Sequence, residues 1–330
     1  MALQLDDSGV VLEWAREPHP NGPDVEFPVA TFRGSEDGPT IAITAGMHSG
    51  EYAGIWAAIE LIRWLQTVEI SGKVIVVPVV SYLAFLDRSM QLSPVDQHEL
   101  HYLWPGHPER SHSEHVIDLL YRTIADCDAL VDMHGGEATQ ELTPYVCVPW
   151  LSDGDLWDKS LALAQQFDVP FVDKRRLEET PLALPKALLE RGIPNIWTEI
   201  GCNAIPRRTH IDLQRNGAVN VLKMYGVLRG RGRPGRTRAP RIVGPQHWSV
   251  YAEQSGIWKP GVRAGEHVRK GQALGTLYDL FGRELATYSA EAEAIVEYVC
   301  TSSGINAARQ PAGYRWHQHL VQLAEDPEWR

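Results

Sequence analysis

The sequence predicts an α/β protein with a mixed, mostly parallel sheet flanked by helices, followed by a C-terminal all-β domain. The first observation is a buried strand pattern at Thr40–Ala45, a helical apolar period after it, and a continuous β-branched run at residues 74–80. Strand, helix and strand in this order indicate a parallel crossover. The second observation is that the chain after residue 240 changes to short β-rich segments with regular glycines.

Taken in order, the chain opens with a β-rich lead-in at residues 1–35, and residues 81–110 lack any sustained period, which predicts a long functional loop. The remaining elements alternate between helices (residues 113–125, 155–167, 184–191 and 212–228) and strands (residues 129–134, 145–148 and 195–201). The Gly/Pro/Arg run at residues 229–238, after the last of these helices, is typical of a linker between domains. We therefore predict an N-terminal domain at residues 1–232 and a C-terminal domain at residues 233–330.

The composition is that of an ordinary globular chain and argues against two classes of protein. The 330 residues carry a formal net charge of −11, whereas general nucleic-acid binding needs a basic surface. No apolar run approaches the roughly 18 residues of a membrane span, and the N-terminus lacks a secretory pattern. The four cysteines form no Cys-x-x-Cys pair, which favours free thiols in a reducing compartment. We expect a cytoplasmic protein without nucleic-acid or membrane partners.

A histidine and a glutamate follow the first strand of the predicted sheet. His48 and Glu51 lie three residues apart in a glycine-rich turn between that strand and the next helix. Ligands of open α/β sheets usually bind at this position, and zinc accepts both imidazole and carboxylate atoms. A single His/Glu pair is more often two polar surface residues than a metal site. A metal site is therefore indicated only if the ends of other strands contribute further ligand-type residues.

Two later strand ends supply such residues. Asp132 and His134 lie two apart at the end of a strand, so their side chains leave on the same face. A carboxylate beside a ligating imidazole fixes its tautomer, although both residues are also compatible with a solvated strand end. Glu199 lies among apolar residues of another predicted strand. Burial raises the pKa of a carboxylate and favours a general base, unless an arginine such as Arg207 or Arg208 neutralises it.

The loop histidines offer a rival metal site. His112 and His115 would lie on one helical face, and further histidines precede them in the sequence. No nearby carboxylate pattern completes a buried set. We therefore expect these histidines to be solvated or to contact substrate.

Three motifs in this order resemble the succinylglutamate desuccinylase/aspartoacylase family, a branch of the zinc carboxypeptidase superfamily. They are Gly-Met-His48-Ser-Gly-Glu51, Asp132-Met-His134, and Glu199 within Thr-Glu-Ile-Gly. The resemblance implies a zinc-carboxypeptidase-like fold for residues 1–232 and one zinc ion per chain. It further implies that His48, Glu51 and His134 are the ligands, that Glu199 is the catalytic base and that Arg88 stabilises the oxyanion.

The C-terminal segment resembles the barrel-sandwich fold of biotinyl and lipoyl carrier domains. Those domains carry a modified lysine on a hairpin tip. Residues 291–294 of this chain contain no lysine, so we expect no swinging prosthetic group.

The chain departs from the family where relatives hold an Asn-Arg pair that clamps the substrate's carboxylate. His101 and Tyr102 stand there instead, and neither makes the bidentate fork of arginine. Either another arginine replaces the clamp (Arg175, Arg176, Arg207 or Arg208), or the substrate lacks a carboxylate there.

The leading hypothesis is a zinc-dependent hydrolase that cleaves the amide of a small N-acyl amino acid or N-acyl amine. The alternatives are a metallocarboxypeptidase and a non-catalytic small-molecule-binding protein on the same scaffold. A homo-oligomer is compatible with the sequence.

Overall fold

The computed structural model describes residues 9–177, 184–230, 240–308 and 318–329. Within them the chain forms six α-helices: α1 (Tyr52–Leu65), α2 (Tyr82–Asp87), α3 (His112–Ile124), α4 (Asp155–Ala164), α5 (Leu184–Leu189) and α6 (Arg208–Met224). The same residues form eighteen strands: β1 (Val10–Glu17), β2 (Val25–Arg33), β3 (Thr40–Ala45), β4 (Lys73–Val77), β5 (Ala129–His134), β6 (Gln140–Leu142), β7 (Tyr145–Trp150), β8 (Phe171–Arg176), β9 (Asn195–Glu199), β10 (Arg241–Val243), β11 (His247–Tyr251), β12 (Gly256–Pro260), β13 (His267–Val268), β14 (Ala273–Tyr278), β15 (Glu284–Ser289), β16 (Ala294–Cys300), β17 (Gly304–Ile305) and β18 (His319–Ala324).

Nine strands form one mixed sheet in the order β1-β2-β4-β3-β5-β9-β7-β8-β10. The pairs β4–β3, β3–β5, β5–β9, β7–β8 and β8–β10 are parallel, and the other three are antiparallel. The mostly parallel sheet predicted from the sequence is therefore confirmed.

Helices cover both faces of this sheet. Ile41 and Ile43 of β3 pack in the cluster that contains residues of α1, α4 and α6. Ala42, between them, packs in the cluster that contains residues of α3 and α5. A strand buried on both faces reads as a continuous apolar run, which explains why β3 and β4 are recognisable in the sequence.

The central strands bring three chain segments to one edge of the sheet. β3, β5 and β9 are adjacent and parallel, and their register pairs Ala45 with Met133 and His134 with Glu199. The carboxyl ends of these strands therefore meet, as they do at ligand sites of open α/β sheets.

The C-terminal region forms antiparallel sheets, which confirms the β-rich character predicted for it. One sheet has the order β11-β18-β16-β13 and the other β15-β14-β12-β17. Two strands cross the predicted division of the chain, since β6 pairs with β16 and β10 pairs with β8. The predicted boundary between residues 232 and 233 lies outside the described residues.

The segment at residues 81–110 has more regular structure than the predicted loop. It contains α2, which is six residues long, and a 3₁₀ helix at Leu100–Tyr102. Elements this short do not repeat long enough to show an apolar period.

Among the described residues, no helix has the length and apolar composition that a membrane crossing requires.

Candidate active site

The turn between β3 and α1 carries the first two metal-type residues. His48 lies in this turn, and Glu51 directly precedes α1. A Cβ atom at Gly54 of α1 would lie 2.8 Å from the carbonyl oxygen of Met133 in β5. Only glycine permits this approach, so α1 packs closely enough to bring Glu51 to the end of β5.

His48, Glu51 and His134 converge at that point. Their candidate ligand atoms lie within 4.8 Å of one another, and Glu51 and His134 are buried. Nδ1 of His48 lies 2.9 Å from Oε1 of Glu51, and Nδ1 of His134 lies 3.2 Å from Oε2 of the same carboxylate. The fold thus brings together the three residues that the sequence analysis selects as metal ligands.

A further carboxylate lies on the outer side of each imidazole. Nε2 of His134 lies 2.9 Å from Oδ2 of Asp132. Nε2 of His48 lies 3.1 Å from Oε1 of Glu99, which also accepts the backbone N–H of His101 at 2.8 Å. Carboxylates in this position hold a ligating imidazole in one tautomer and one orientation. The sequence pattern predicts this contact for Asp132 but gives no sign of Glu99.

This arrangement fits a bound cation. When each Nε2 donates its hydrogen to the outer carboxylate, both Nδ1 atoms present lone pairs to Glu51, which can only accept. Burial opposes the charged form, yet the neighbouring carboxylates hold the pKa of His48 and of His134 well above their ordinary values. Two imidazole nitrogens and a carboxylate are a donor set that zinc accepts, with a fourth position left open.

Two other groups of described residues bring ligand-type atoms equally close: His101, Asp132 and His134, and Asp173, His247 and Glu297. The first overlaps the central cluster through His134. The second already contains a cation, because Nη2 of Arg175 lies 2.5 Å from Oδ2 of Asp173 and 3.1 Å from Oε2 of Glu297.

A cavity of about 280 Å³ opens beside the central cluster. Besides His48, Glu51 and His134, its lining includes Gln91, His101, Tyr102, Arg175 and Glu199. The C-terminal sheets complete the wall through Tyr298 of β16 and through His319 and Gln322 of β18. This volume is at the small end of ligand sites and suits a small molecule better than a peptide.

Glu199 lies at the cavity wall beside the cluster. It is the last residue of β9, directly opposite His134 in the β5–β9 register. Burial and the negative charge of Glu51 raise the pKa of Glu199 to about 7. A carboxyl group with this pKa can accept and release a proton near neutral pH.

The other predicted site residues lie in the segment between α2 and α3. His101 and Tyr102 line the cavity. Burial lowers the pKa of His101 to about 4 and raises the pKa of Tyr102, so both side chains are neutral near pH 7. Arg88 ends α2 in the left-handed region, with a φ of 59°, and is exposed. It is not among the described residues that line the cavity.

The four arginines considered as a replacement clamp lie in different surroundings. Arg175 lines the cavity. Arg176, next to it on β8, is exposed and lies over the ring of Trp150. Arg207 and Arg208 are exposed at the start of α6, where Arg208 pairs with Glu60 at 2.6 Å. Neither therefore neutralises Glu199, and of the four only Arg175 belongs to the cavity.

The rival histidine pair belongs to a separate cluster. His112 and His115 are buried rather than solvated, contrary to the sequence analysis. Nε2 of His115 lies 2.9 Å from Oε2 of Glu17, and its Nδ1 lies 3.2 Å from Nδ1 of His19. These partners come from β1 and the turn after it, which the sequence spacing does not reveal.

Residues 37–225 match the family model of the succinylglutamate desuccinylase/aspartoacylase catalytic domain. The match covers more than half of the chain, and the protein belongs to this family.

Known relatives resemble nearly the whole chain. The N-alpha-acetyl-L-2,4-diaminobutyric acid deacetylase of Halomonas elongata is 26% identical over 304 residues, which are 91% of this chain and 86% of the relative. The crystal structure of a succinylglutamate desuccinylase/aspartoacylase from Rhodobacter sphaeroides superposes with a TM-score of 0.83 and 25% identity, covering 98% of each chain. The product-bound ectoine utilization protein EutE (DoeB) from Ruegeria pomeroyi has a TM-score of 0.85 at 24% identity, covering 98% of this chain and 97% of that one. At that identity the likeness shows the fold.

Proposed function

We propose that this protein is a zinc-dependent deacylase that hydrolyses the amide bond of a small N-acyl amino acid or N-acyl amine. The observation that carries the proposal is the placement of His48, Glu51 and His134 beside Glu199 on one small cavity. The family membership and the activity named for the Halomonas elongata relative support it. The cavity of about 280 Å³ is of a size that suits a small substrate.

In this proposal His48, Glu51 and His134 hold the zinc ion, and Asp132 and Glu99 orient the two imidazoles. When bound, such an ion polarises a carbonyl group and makes water acidic enough to act as a nucleophile near neutral pH.

The proton transfers fall to Glu199. As a water oxygen adds to the carbonyl carbon of the substrate, Glu199 takes a proton from that water and the carbonyl electron pair moves to the carbonyl oxygen. The C–N bond then breaks and its electron pair stays on the nitrogen, which receives the proton from Glu199. The products are a carboxylic acid and an amine, and transfer of the acid's proton to the amine gives a carboxylate and an ammonium group near neutral pH.

The experiment that tests the proposal is a screen of the zinc-loaded protein against N-acyl amino acids, N-acyl diamines and short peptides, with amine release as the readout. We expect turnover of at least one N-acyl compound and none of the peptides. Inactivity on every N-acyl compound, with one zinc bound per chain, would reject the deacylase. Preferential release of C-terminal residues from peptides would support the carboxypeptidase instead.

We further propose that Arg175 binds an oxygen of the substrate's carboxylate. Its Nε donates to Oδ2 of Asp173 at 2.6 Å and its Nη2 to Oε2 of Glu297 at 3.1 Å. No described residue accepts a hydrogen bond from Nη1, and Arg175 lines the cavity. Two carboxylates thus fix the guanidinium while one edge stays available to a ligand. Such a fixed donor suits an anionic oxygen.

Arg175→Lys should raise KM for an N-acyl amino acid by about tenfold or more, because a hydrogen bond to a charged group contributes about 1.5–3 kcal/mol. Lysine keeps the positive charge beside Asp173 and Glu297, which limits the damage to the fold. KM for the matching carboxamide should change little. Arg176→Lys on the opposite face of β8 is the matched control and should behave as the wild type. Equal changes in KM for the acid and the amide would contradict the assignment.

The remaining sequence predictions are retained as proposals. From the resemblance to biotinyl and lipoyl carrier domains, we propose that the C-terminal sheets form a barrel-sandwich-like domain. This domain would help to shape the cavity through Tyr298, His319 and Gln322. A cytoplasmic location and a homo-oligomer also remain predictions. The oxyanion role that the resemblance implies for Arg88 also remains a prediction, and Arg88→Ala is tested together with the variants described below.

A further inference from the structure

Gln91 is a buried polar side chain without a hydrogen-bond partner among the described residues. Its relative exposure is 8%, and it lines the cavity together with the predicted metal ligands. Oε1 is buried without a hydrogen bond, and no described residue accepts a hydrogen bond from Nε2. Leaving a buried amide unpaired costs about 1–3 kcal/mol, and such groups in native structures call for an explanation. Among the described residues nothing holds this amide, so it is available to a ligand in the cavity.

The residues on both sides of Gln91 are connected by hydrogen bonds to residues around His48. On one side, the hydroxyl of Ser49, the residue after His48, donates to the carbonyl oxygen of Ser89 and lies 3.4 Å from that of Met90. On the other side, Leu92 forms a β-bridge with Glu99, whose carboxylate contacts Nε2 of His48. The residues that flank Gln91 are therefore tied on one side to the neighbour of His48 and on the other to the carboxylate that contacts it.

We propose that Gln91 is a catalytic residue whose side-chain amide donates a hydrogen bond to the carbonyl oxygen of the scissile amide. This role rests on the deacylase function proposed above. Because no described residue accepts a hydrogen bond from Nε2, and this nitrogen is not enclosed as Oε1 is, the amide group is available to donate to that oxygen. As the attacking water adds, the carbonyl electron pair moves to the oxygen, and a donor at this position stabilises the growing negative charge.

The two other uncharged amides among the described lining residues, Gln140 and Gln322, are oriented by hydrogen bonds to their oxygens. Oε1 of Gln140 accepts the backbone N–H of Glu137 at 2.9 Å. Oε1 of Gln322 accepts the hydroxyl of Ser249 at 2.6 Å. Arg88, the donor implied by the family resemblance, is exposed three residues before Gln91 and outside the cavity lining. The structure therefore favours Gln91 over Arg88 for this contact.

The test compares Gln91→Leu, Arg88→Ala and Gln97→Leu in the zinc-loaded protein, with kcat, KM, zinc content and thermal stability measured for each. Gln97 is an exposed glutamine of the same segment and serves as the matched control. Leucine replaces an unpaired amide in Gln91→Leu, so zinc content and stability should equal those of the wild type. We expect kcat to fall about 10²–10³-fold, the usual effect of removing one oxyanion donor, with a smaller change in KM. Gln91→Asn withdraws the amide by one methylene and should lose a smaller part of kcat.

Each contrary outcome has a distinct meaning. Turnover of Gln91→Leu within about threefold of the wild type, or a change in KM alone, would overturn the catalytic role. A large loss of kcat in Arg88→Ala with normal Gln91 variants would assign the oxyanion to Arg88. If Gln91→Leu loses zinc or unfolds and Gln91→Asn keeps full turnover, the residue is structural. A wild-type protein inactive on every N-acyl compound would instead overturn the proposed function, and this role with it.

Discussion

Glu199→Gln should keep its zinc and lose turnover by at least about 10²–10⁴-fold, the contribution that general acid–base catalysis usually makes. Glutamine has nearly the same shape but cannot take a proton from water. Glu199 lies at the end of β9 opposite His134 and is not part of the central ligand cluster. The variant therefore separates proton transfer from metal binding. The measurements are kcat on the best substrate of the screen and zinc content by elemental analysis.

A second buried carboxyl group provides the matched control for Glu199. Burial raises the pKa of Glu137 to about 7 as well, and its Oε1 accepts the backbone N–H of Gly50 at 3.2 Å. Glu137 is not among the described residues that line the cavity. Glu137→Gln keeps an acceptor for Gly50, so its turnover should stay within a few fold of the wild type. If both variants lost activity equally, the effect would reflect the charge of the region rather than a base at Glu199.

The strand ends explain why the central cluster is visible in the sequence. β3 and β5 are buried on both faces, so their apolar runs are unmistakable, and His48 and His134 stand where those runs stop. Parallel neighbours place such ends side by side. The proximity of these strand ends follows from the sheet alone and requires no knowledge of the loops. The same reasoning selects Asp132, because a side chain two residues before His134 leaves the strand on the same face.

The contacts made by the segment at residues 81–110 could not be predicted in this way. Glu99 and Gln91 have no periodic relation to His48, and only the tertiary contacts of Ser49 and Leu92 bring them to it. The position of Arg88 was equally hidden, since the local fold places this cationic residue at an exposed helix end. Side chains on irregular segments need the structure.

Helix ends show a smaller limit of sequence patterns. The predicted helix at residues 212–228 is observed at Arg208–Met224. Val227 and Leu228 are buried and look like a continuation of the apolar period, but Gly226 has a φ of 75° and ends the helix. Glycine in this conformation after the last turn is a usual helix stop. At the other end, the first turn is polar, so apolar spacing cannot reveal it.

The pairing of strands between the N-terminal and C-terminal regions could not be predicted from the sequence either. β6 leaves the N-terminal part to pair with β16, and β10 returns to the main sheet beside β8. Each has three residues, too few for alternation to appear. This pairing places Tyr298 of β16 and Gln322 of β18 on the cavity wall. It follows that residues of the C-terminal region contribute to the wall of the cavity.

Removal of the metal should abolish turnover, and either histidine of the cluster should be required to hold it. We expect about one zinc per chain in the wild type, loss of activity after chelation, and recovery when zinc is returned. His48→Ala and His134→Ala should each lose the ion, because each removes one of only three protein ligands. Thermal stability should fall with it, since a ligand that binds only the folded state stabilises that state.

His48→Ala and His134→Ala also decide which of two overlapping groups of residues binds the ion. If the ion is held by His48, Glu51 and His134, both variants lose zinc. If it is held by His101, Asp132 and His134 instead, His134→Ala loses zinc while His48→Ala retains it. His98→Ala, on a half-exposed loop histidine 3.5 Å from Asp96, is the control and should keep full occupancy. Full zinc content in His134→Ala would contradict both sites, because that side chain is the only ligand they share.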